Sequence, residues 1–267
     1  MLAFFPMARP PLSVTIITLN EEKNIPDAIR SVQWADEIIV VDSGSTDKTQ
    51  QIAREMGAKT FYNPWPGYGK QKNFAQSQAT HDWILNLDAD ERVTRELAEE
   101  IVGALETVGN GKTNAKGFAV PRKTFYLGRW IKHGGWYPNF LIRLADRRFA
   151  RWSEPSVHEK WMVDGEVAQL KNPLDHYAFS SIQDQILTNL TFSRLGSQDL
   201  KRGGQRASLF RLITKPVGKF FETYFLKGGF LDGLAGFIIA VNAAHSMFLK
   251  YAYLAESKIY VQNPNHR

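Results

Sequence analysis

An α/β fold built on a mostly parallel sheet, with a helical C-terminal extension, is predicted by two observations. Apolar, β-branched segments alternate with helix-forming ones through the first half of the chain, and the fourth such segment ends in two carboxylates, Asp88-Ala89-Asp90. Residues 13–19 form the first strand, residues 37–41 the second, Lys59 to Tyr62 a shorter third and residues 83–87 the fourth. Pro26 opens the helix after the first strand, Asp47 caps a second that stops at Gly57, and residues 70–79 make the third. Thr94 caps a fourth, on which Leu97, Ile101 and Leu105 fall near helical spacing and Glu96, Glu99 and Glu100 face outward, ending at Gly109-Asn110-Gly111-Lys112. From residue 117 to about 170 the pattern changes to short strands and aromatic loops. Residues 1–179 are therefore expected as one α/β domain and residues 180–267 as a helical region.

A chain of 267 residues with 43% hydrophobic content buries a real core, which excludes global disorder. The absence of cysteine excludes a disulfide framework and any thiolate metal site. The opening Met1-Leu2-Ala3-Phe4-Phe5-Pro6 lacks a basic segment and is not expected to be a signal peptide. The formal charge of +6 is concentrated: residues 201–227 hold seven bases and one acid. Phe210, Ile213, Val217, Phe220, Phe221, Tyr224 and Phe225 are interleaved with those bases near helical spacing, and Pro216 is expected to divide the segment or open its second helix. The uncharged run 233–249 includes Asn242 and His245 and is shorter than the ~20 apolar residues of a membrane span, so an interfacial helical hairpin is expected. Bases beside Phe and Tyr suit an anionic membrane surface; no nucleic-acid reading module is present, and no nucleic-acid partner is expected.

Two carboxylates delivered at the tip of a buried strand make a hard-oxygen site for Mg²⁺ or Mn²⁺, the ions that hold a pyrophosphate. The second strand ends in Asp42, which opens the turn Asp42-Ser43-Gly44-Ser45-Thr46-Asp47, and the carboxyl ends of parallel strands share one ligand-facing rim. Trp136, Tyr137 and Arg143 lie in or just after a glycine-containing aromatic segment and are candidates for the acceptor site, since flat aromatic faces suit sugar rings.

Thr18-Leu19-Asn20-Glu21-Glu22, Val41-Asp42-Ser43-Gly44-Ser45-Thr46-Asp47, Lys72-Asn73 and Leu87-Asp88-Ala89-Asp90 together resemble family 2 glycosyltransferases with the GT-A nucleotide-sugar-binding fold. Many members carry a second Asp where this chain has Ser43, and Arg where it has Lys72. The resemblance implies donor contacts from Thr18, Leu19, Asn20, Glu21, Asp42, Lys72 and Asp88, a divalent cation on Asp88 and Asp90 completed by His176, and Glu159 of Val157-His158-Glu159 as the base of an inverting transfer. Against these stand simpler roles: Glu159 paired with a surface lysine such as Lys160, His158 structural or orienting Glu159, and His176 as a satisfied histidine of the fold. From Ser13 to Lys258 the chain is similar to a narrower group, the bacterial enzymes that add glucose to heptose in the lipopolysaccharide inner core. That similarity implies UDP-glucose as donor, a lipid-anchored saccharide as acceptor, and peripheral attachment to the cytoplasmic face of the inner membrane. A polyprenyl-phosphate glycosyltransferase of the same fold and a non-catalytic nucleotide-sugar-binding module are the competing readings.

Overall fold

The computed structural model describes residues 9–154 and 159–262, with side chains to residue 256. The expectations placed on residues 1–6, Val157, His158 and Lys258 lie outside the described residues and side chains. In chain order the elements are β1 (Leu12–Thr18), α1 (Ile25–Ser31), β2 (Glu37–Asp42), α2 (Thr49–Glu55), β3 (Lys59–Tyr62), α3 (Tyr68–Gln78), β4 (Trp83–Asp88), β5 (Glu91–Val93), α4 (Arg95–Gly109), β6 (Gly117–Tyr126) and β7 (Arg129–Ile131). There follow β8 (Asn139–Asp146), β9 (Ala150–Trp152), β10 (Trp161–Val163), β11 (Val167–Gln169), β12 (Leu174–His176), α5 (Ile182–Arg202), α6 (Leu209–Phe221) and α7 (Gly233–Gln262).

The first compact unit comprises the chain up to Lys123 together with Asn139–His176. Its strands β3, β2, β1 and β4 lie side by side and parallel, and β8, β6, β12 and β5 continue the sheet, with antiparallel pairing at β4/β8, β8/β6 and β12/β5. Side-chain alternation along each central strand feeds two cores. Leu12, Val14 and Ile16 of β1 with Trp83, Leu85 and Leu87 of β4 join α1 and α4 on one face. Ile17, Ile39, Val41 and Ile84 meet Ala75 of α3, Ala79 just past its end and the stacked pair Trp152 and Trp161 on the other.

The expected helix ends are found where the side chains supply them. Thr94 Oγ1 accepts from the Leu97 amide 3.1 Å away, and Leu97, Ile101 and Leu105 are fully buried. Asp47 serves α2 from just ahead of its cap, accepting from the Thr49 amide at 3.0 Å.

The second compact unit comprises Thr124–Pro138 and the chain from Tyr177 onward, so it takes in a segment that the sequence places inside the first domain. Two expectations are corrected here. Pro216 lies inside α6 and neither divides nor opens it. A proline interrupts one backbone bond, and Thr214 Oγ1 donating to the Phe210 carbonyl at 2.8 Å adds a bond in the affected turn. The run 233–249 does not turn back on itself but is the first part of α7; the chain reverses before it, where Gly228 and Gly233 adopt φ of +65° and +61°. The stretch Gly229–Glu256 is long and apolar enough to cross a membrane by length and composition.

Candidate active site

Strand register brings the expected donor residues to one rim. Thr18 pairs with Asp42 across β1/β2, and Ile17 with Asp88 across β1/β4, so the two aspartates flank the end of β1, two strand spacings or about 10 Å apart. The two loops leaving that rim are laced together. Asn20, at φ +57°, donates its amide to Ser45 Oγ at 2.8 Å and accepts from the Thr46 amide at 2.9 Å. The Glu21 amide donates to Thr49 Oγ1 at 2.8 Å, while Leu19 remains exposed.

Asp42 is buried, and both of its oxygens are engaged. Oδ1 accepts from the Gly44 and Ser45 amides at 2.9 and 2.8 Å and from Gln50 at 2.6 Å, and Oδ2 accepts from Thr18 at 3.1 Å and from the Ser45 hydroxyl. Burial alone pushes its carboxyl up, but the bonds from Ser45, Gly44 and Gln50 outweigh it and hold Asp42 below its ordinary value. Asp42 thus shapes the loop that leaves the end of β2.

Asp88 and Asp90 lead to different partners. Asp88 Oδ1 lies 3.2 Å from Lys72 Nζ, and Oδ2 lies 2.5 Å from Arg143. Burial raises its carboxyl, and Arg143 and then Lys72 more than reverse that, holding it well below the usual carboxylate range. Asp90 points to His176, whose Nε2 lies 3.3 Å from Oδ2, because His176 on β12 pairs in register with Glu91 of β5. Among the described residues no three carboxylates or imidazoles gather at one ion position. Asp90 and His176, both partly exposed, offer one oxygen and one nitrogen, which suits an ion that takes its remaining ligands from water and a substrate diphosphate.

Lys72 is 4% exposed and sits between Asp88 and Glu159, 3.1 Å from Glu159 Oε1, with its ammonium 4.5 Å above the Trp152 ring. Glu159 is therefore joined to the tip of β4 through one lysine and is not satisfied only by a surface neighbour. Tyr68, one helical turn before Lys72, has its phenol raised by burial and then by the charges of Glu159, Asp88 and Asp90.

Arg143, expected at the acceptor, lies instead beneath the rim at 3% exposure, bonded to Asn86 at 3.1 Å and paired with Asp88 and Glu91 at 2.5 Å each. A guanidinium so committed positions Asp88 from behind. Trp136 packs 5.7 Å from Tyr126 and 6.1 Å from Phe179, and it and Tyr137 belong to the second unit.

Glu91 escaped the sequence reading. It is fully buried, accepts the Asp88 amide at 3.0 Å and lies within 3.4 Å of Arg122. Its position directly after Asp88-Ala89-Asp90 was the available signal. Arg122 and Asn86 carried none, since only strand register brings them to the site.

Parallel strands that present loops, a partly exposed acidic tip and a lysine-bridged glutamate on one rim are the architecture of a glycosyltransferase of the GT-A fold. Residues 13–151 match the glycosyl transferase family 2 model, and the chain belongs to that family. An uncharacterized glycosyltransferase of Rickettsia felis is 34% identical over 264 residues, covering 94% of this chain and 92% of its own. A lipopolysaccharide core biosynthesis glycosyltransferase, LpsC of Rhizobium meliloti, is 33% identical over 260 residues, covering 94% and 92%. A crystal structure of glucosyl-3-phosphoglycerate synthase from Mycobacterium tuberculosis overlaps 45% of each chain at 31% identity and a TM-score of 0.35.

Proposed function

We propose that this glycosyltransferase moves glucose from UDP-glucose, with inversion, to a heptose of the lipopolysaccharide inner core at the cytoplasmic face of the inner membrane. The observation that carries the reading is Lys72, which binds Asp88 at the donor rim and Glu159 at once, at 3.2 and 3.1 Å. A base and a donor-side carboxylate held on one ammonium have a fixed separation, as a single displacement requires. The similarity to LpsC over nearly the whole of both chains supports a core saccharide as acceptor.

In this reaction the acceptor hydroxyl oxygen bonds to the anomeric carbon and its proton passes to Glu159. The bond from that carbon to the diphosphate breaks, and its electron pair leaves with UDP. Asp90 and His176 would hold a Mg²⁺ or Mn²⁺ ion, which supplies positive charge for the departing diphosphate. The loops from Thr18 to Glu21 and from Asp42 to Asp47 would bind the nucleoside, and Asp88, set by Arg143 and Lys72, the ribose.

The second unit supports attachment to anionic lipid. Helix α6 has no buried residue, and Phe210, Ile213, Val217 and Phe221 expose one stripe, each more than half accessible, with Arg211, Lys215 and Lys219 on the same helix.

A donor screen with purified heptose-containing core lipid and either ion, read by mass spectrometry, is expected to show one hexose gained from UDP-glucose alone. Glu159→Gln is expected to cut transfer by about 10²–10⁴-fold while UDP affinity is kept, the usual worth of a positioned base. Transfer at nearly the wild-type rate would remove Glu159 as base and favour a phosphate acceptor, which needs no proton taken from it.

A further inference from the structure

Between β3 and α3 the chain reads Asn63-Pro64-Trp65-Pro66-Gly67-Tyr68, and it places two large aromatic rings in solvent. Trp65 is 46% and Tyr68 51% exposed, and their rings meet edge to face at 4.7 Å. Burying neither ring leaves hydrophobic surface uncovered at a position that the packing of the sheet does not require.

The segment is held at both ends. The Asn63 amide donates to the Asp42 carbonyl at 3.0 Å and its side chain to Gln71 at 2.7 Å, while Gln71 donates to Ser43 at 3.0 Å. Past the turn, α3 approaches the strand end so closely that a Cβ on Gly69 would stand 2.0 Å from the Ser153 carbonyl oxygen. Two prolines on either side of Trp65 restrict the backbone further. The rings are thus carried on a fixed support, which keeps the entropic cost of using them low.

The support aims at the reacting groups. Tyr68 and Lys72 are four residues apart on α3 and share one helix face, and Lys72 touches both Asp88 and Glu159. The Tyr68 phenol, raised first by burial and then by the charges of Glu159, Asp88 and Asp90, agrees with that placement.

We infer that Trp65 and Tyr68 form a stacking platform for a pyranose ring of the saccharide acceptor, seating its attacking hydroxyl beside Glu159. The C–H face of such a ring carries partial positive charge and fits the negative face of an indole or phenol, while its hydroxyls stay free for polar partners. An acceptor ring, and not the donor glucose, is favoured because the platform stands on the Lys72–Glu159 side, where the hydroxyl must lose its proton. The inference rests on the proposed transferase reading for the identity of the sugar.

Titration of the full chain with Mg²⁺ present, followed by saturation-transfer NMR, tests it with two probes, UDP-glucose and a heptose-containing core oligosaccharide. Trp65→Ala and Tyr68→Ala are each expected to weaken oligosaccharide binding by about tenfold, with UDP-glucose affinity unchanged and Trp65→Phe close to wild type. Equal oligosaccharide affinity in wild type and both alanine variants overturns the platform, as does absence of binding to the wild type. Loss of UDP-glucose binding in place of oligosaccharide binding would assign the rings to the donor sugar and also overturn it. Failure of the wild type to bind UDP-glucose would instead strike the donor assignment, while the oligosaccharide arm still decides the platform.

Discussion

Glu37 at the amino end of β2 shows how much one side chain can fix. Its carboxylate accepts from Ser13 Oγ at 2.5 Å, Lys59 Nζ at 2.7 Å and the Thr80 amide at 2.9 Å, so it ties β1, β2, β3 and the approach to β4 at the edge opposite the active rim. Burial raises its pKa, but Lys59, Ser13 and Thr80 outweigh this and bring it from 4.5 down to about 2. A depressed folded-state pKa stabilises the fold fully above the unfolded value and is lost as the pH falls through the folded one. Glu37→Gln is therefore expected to cost on the order of 2–3 kcal/mol at neutral pH, and the gap to wild type should close from about pH 4.5 towards 2. Urea titrations across that range measure it, and a gap independent of pH would refute the assignment. At this scale a residue type announces its chemistry in the sequence, and the structure brings the named residues near one another without testing their roles: Asp42, Lys72, Asp88, Asp90, Glu159 and His176 all lie in the first unit, where Lys72 joins Asp88 to Glu159 and Asp90 meets His176. Arg143 was misjudged because its chemistry, bidentate binding of an anion, fits a substrate phosphate and a buried carboxylate equally well. Only its 3% exposure distinguishes them.

Among the elements, α3 governs the site, since it carries Tyr68, Lys72 and Asn73, and Asn73 exchanges bonds of 3.0 Å with both the carbonyl and the amide of Trp152. Gly69 is what permits this approach. Gly69→Ala would place its Cβ 2.0 Å from a backbone oxygen that cannot swing aside, so α3 must move. A loss of about 1–3 kcal/mol is expected from overpacking, together with a fall in transfer of about 10²-fold from displacing Lys72 by an ångström. Gly103→Ala serves as the contrast: in the interior of α4, with nothing within 4 Å of its Cβ, it is expected to stabilise by about 0.5–1 kcal/mol. Thermal melts and turnover of both variants decide the matter, and a Gly69→Ala protein as stable and active as wild type would show that the contact is not tight. Local signals made α4 readable, because Thr94 and the Leu97, Ile101, Leu105 spacing act within one element. The strands after β5 were poorly readable because their pairing joins residues far apart in sequence, as in β12 with β5. α7 was misread from the length of its uncharged run, since a helix continues through Lys250 once its backbone bonds are formed.

Over the whole molecule the net charge of +6 matches the excess of seven bases over one acid in residues 201–227, so the remainder of the chain is balanced. Solubility alone would be served by charge spread over the surface. Here the bases accompany an exposed apolar stripe on α6 and exposed Leu226, Leu231 and Leu234 beyond it, a combination with two separable contributions at a lipid surface. Apolar side chains favour any bilayer, whereas the bases act only against anionic headgroups and are screened by salt. Replacing Arg211, Lys215 and Lys219 together by Gln leaves the stripe intact and removes about 1 kcal/mol each near a charged surface, or about 100-fold in partition overall. Co-sedimentation of the full chain with phosphatidylglycerol vesicles is expected to fall by that factor in low salt. The difference between the two proteins should shrink in 0.5 M salt, where the Debye length is about 4–5 Å. On vesicles of neutral phosphatidylcholine the triple variant and wild type should bind alike, through the stripe only. An equal loss on neutral and anionic vesicles would mean that the bases support the fold of α6 and not its contact with lipid.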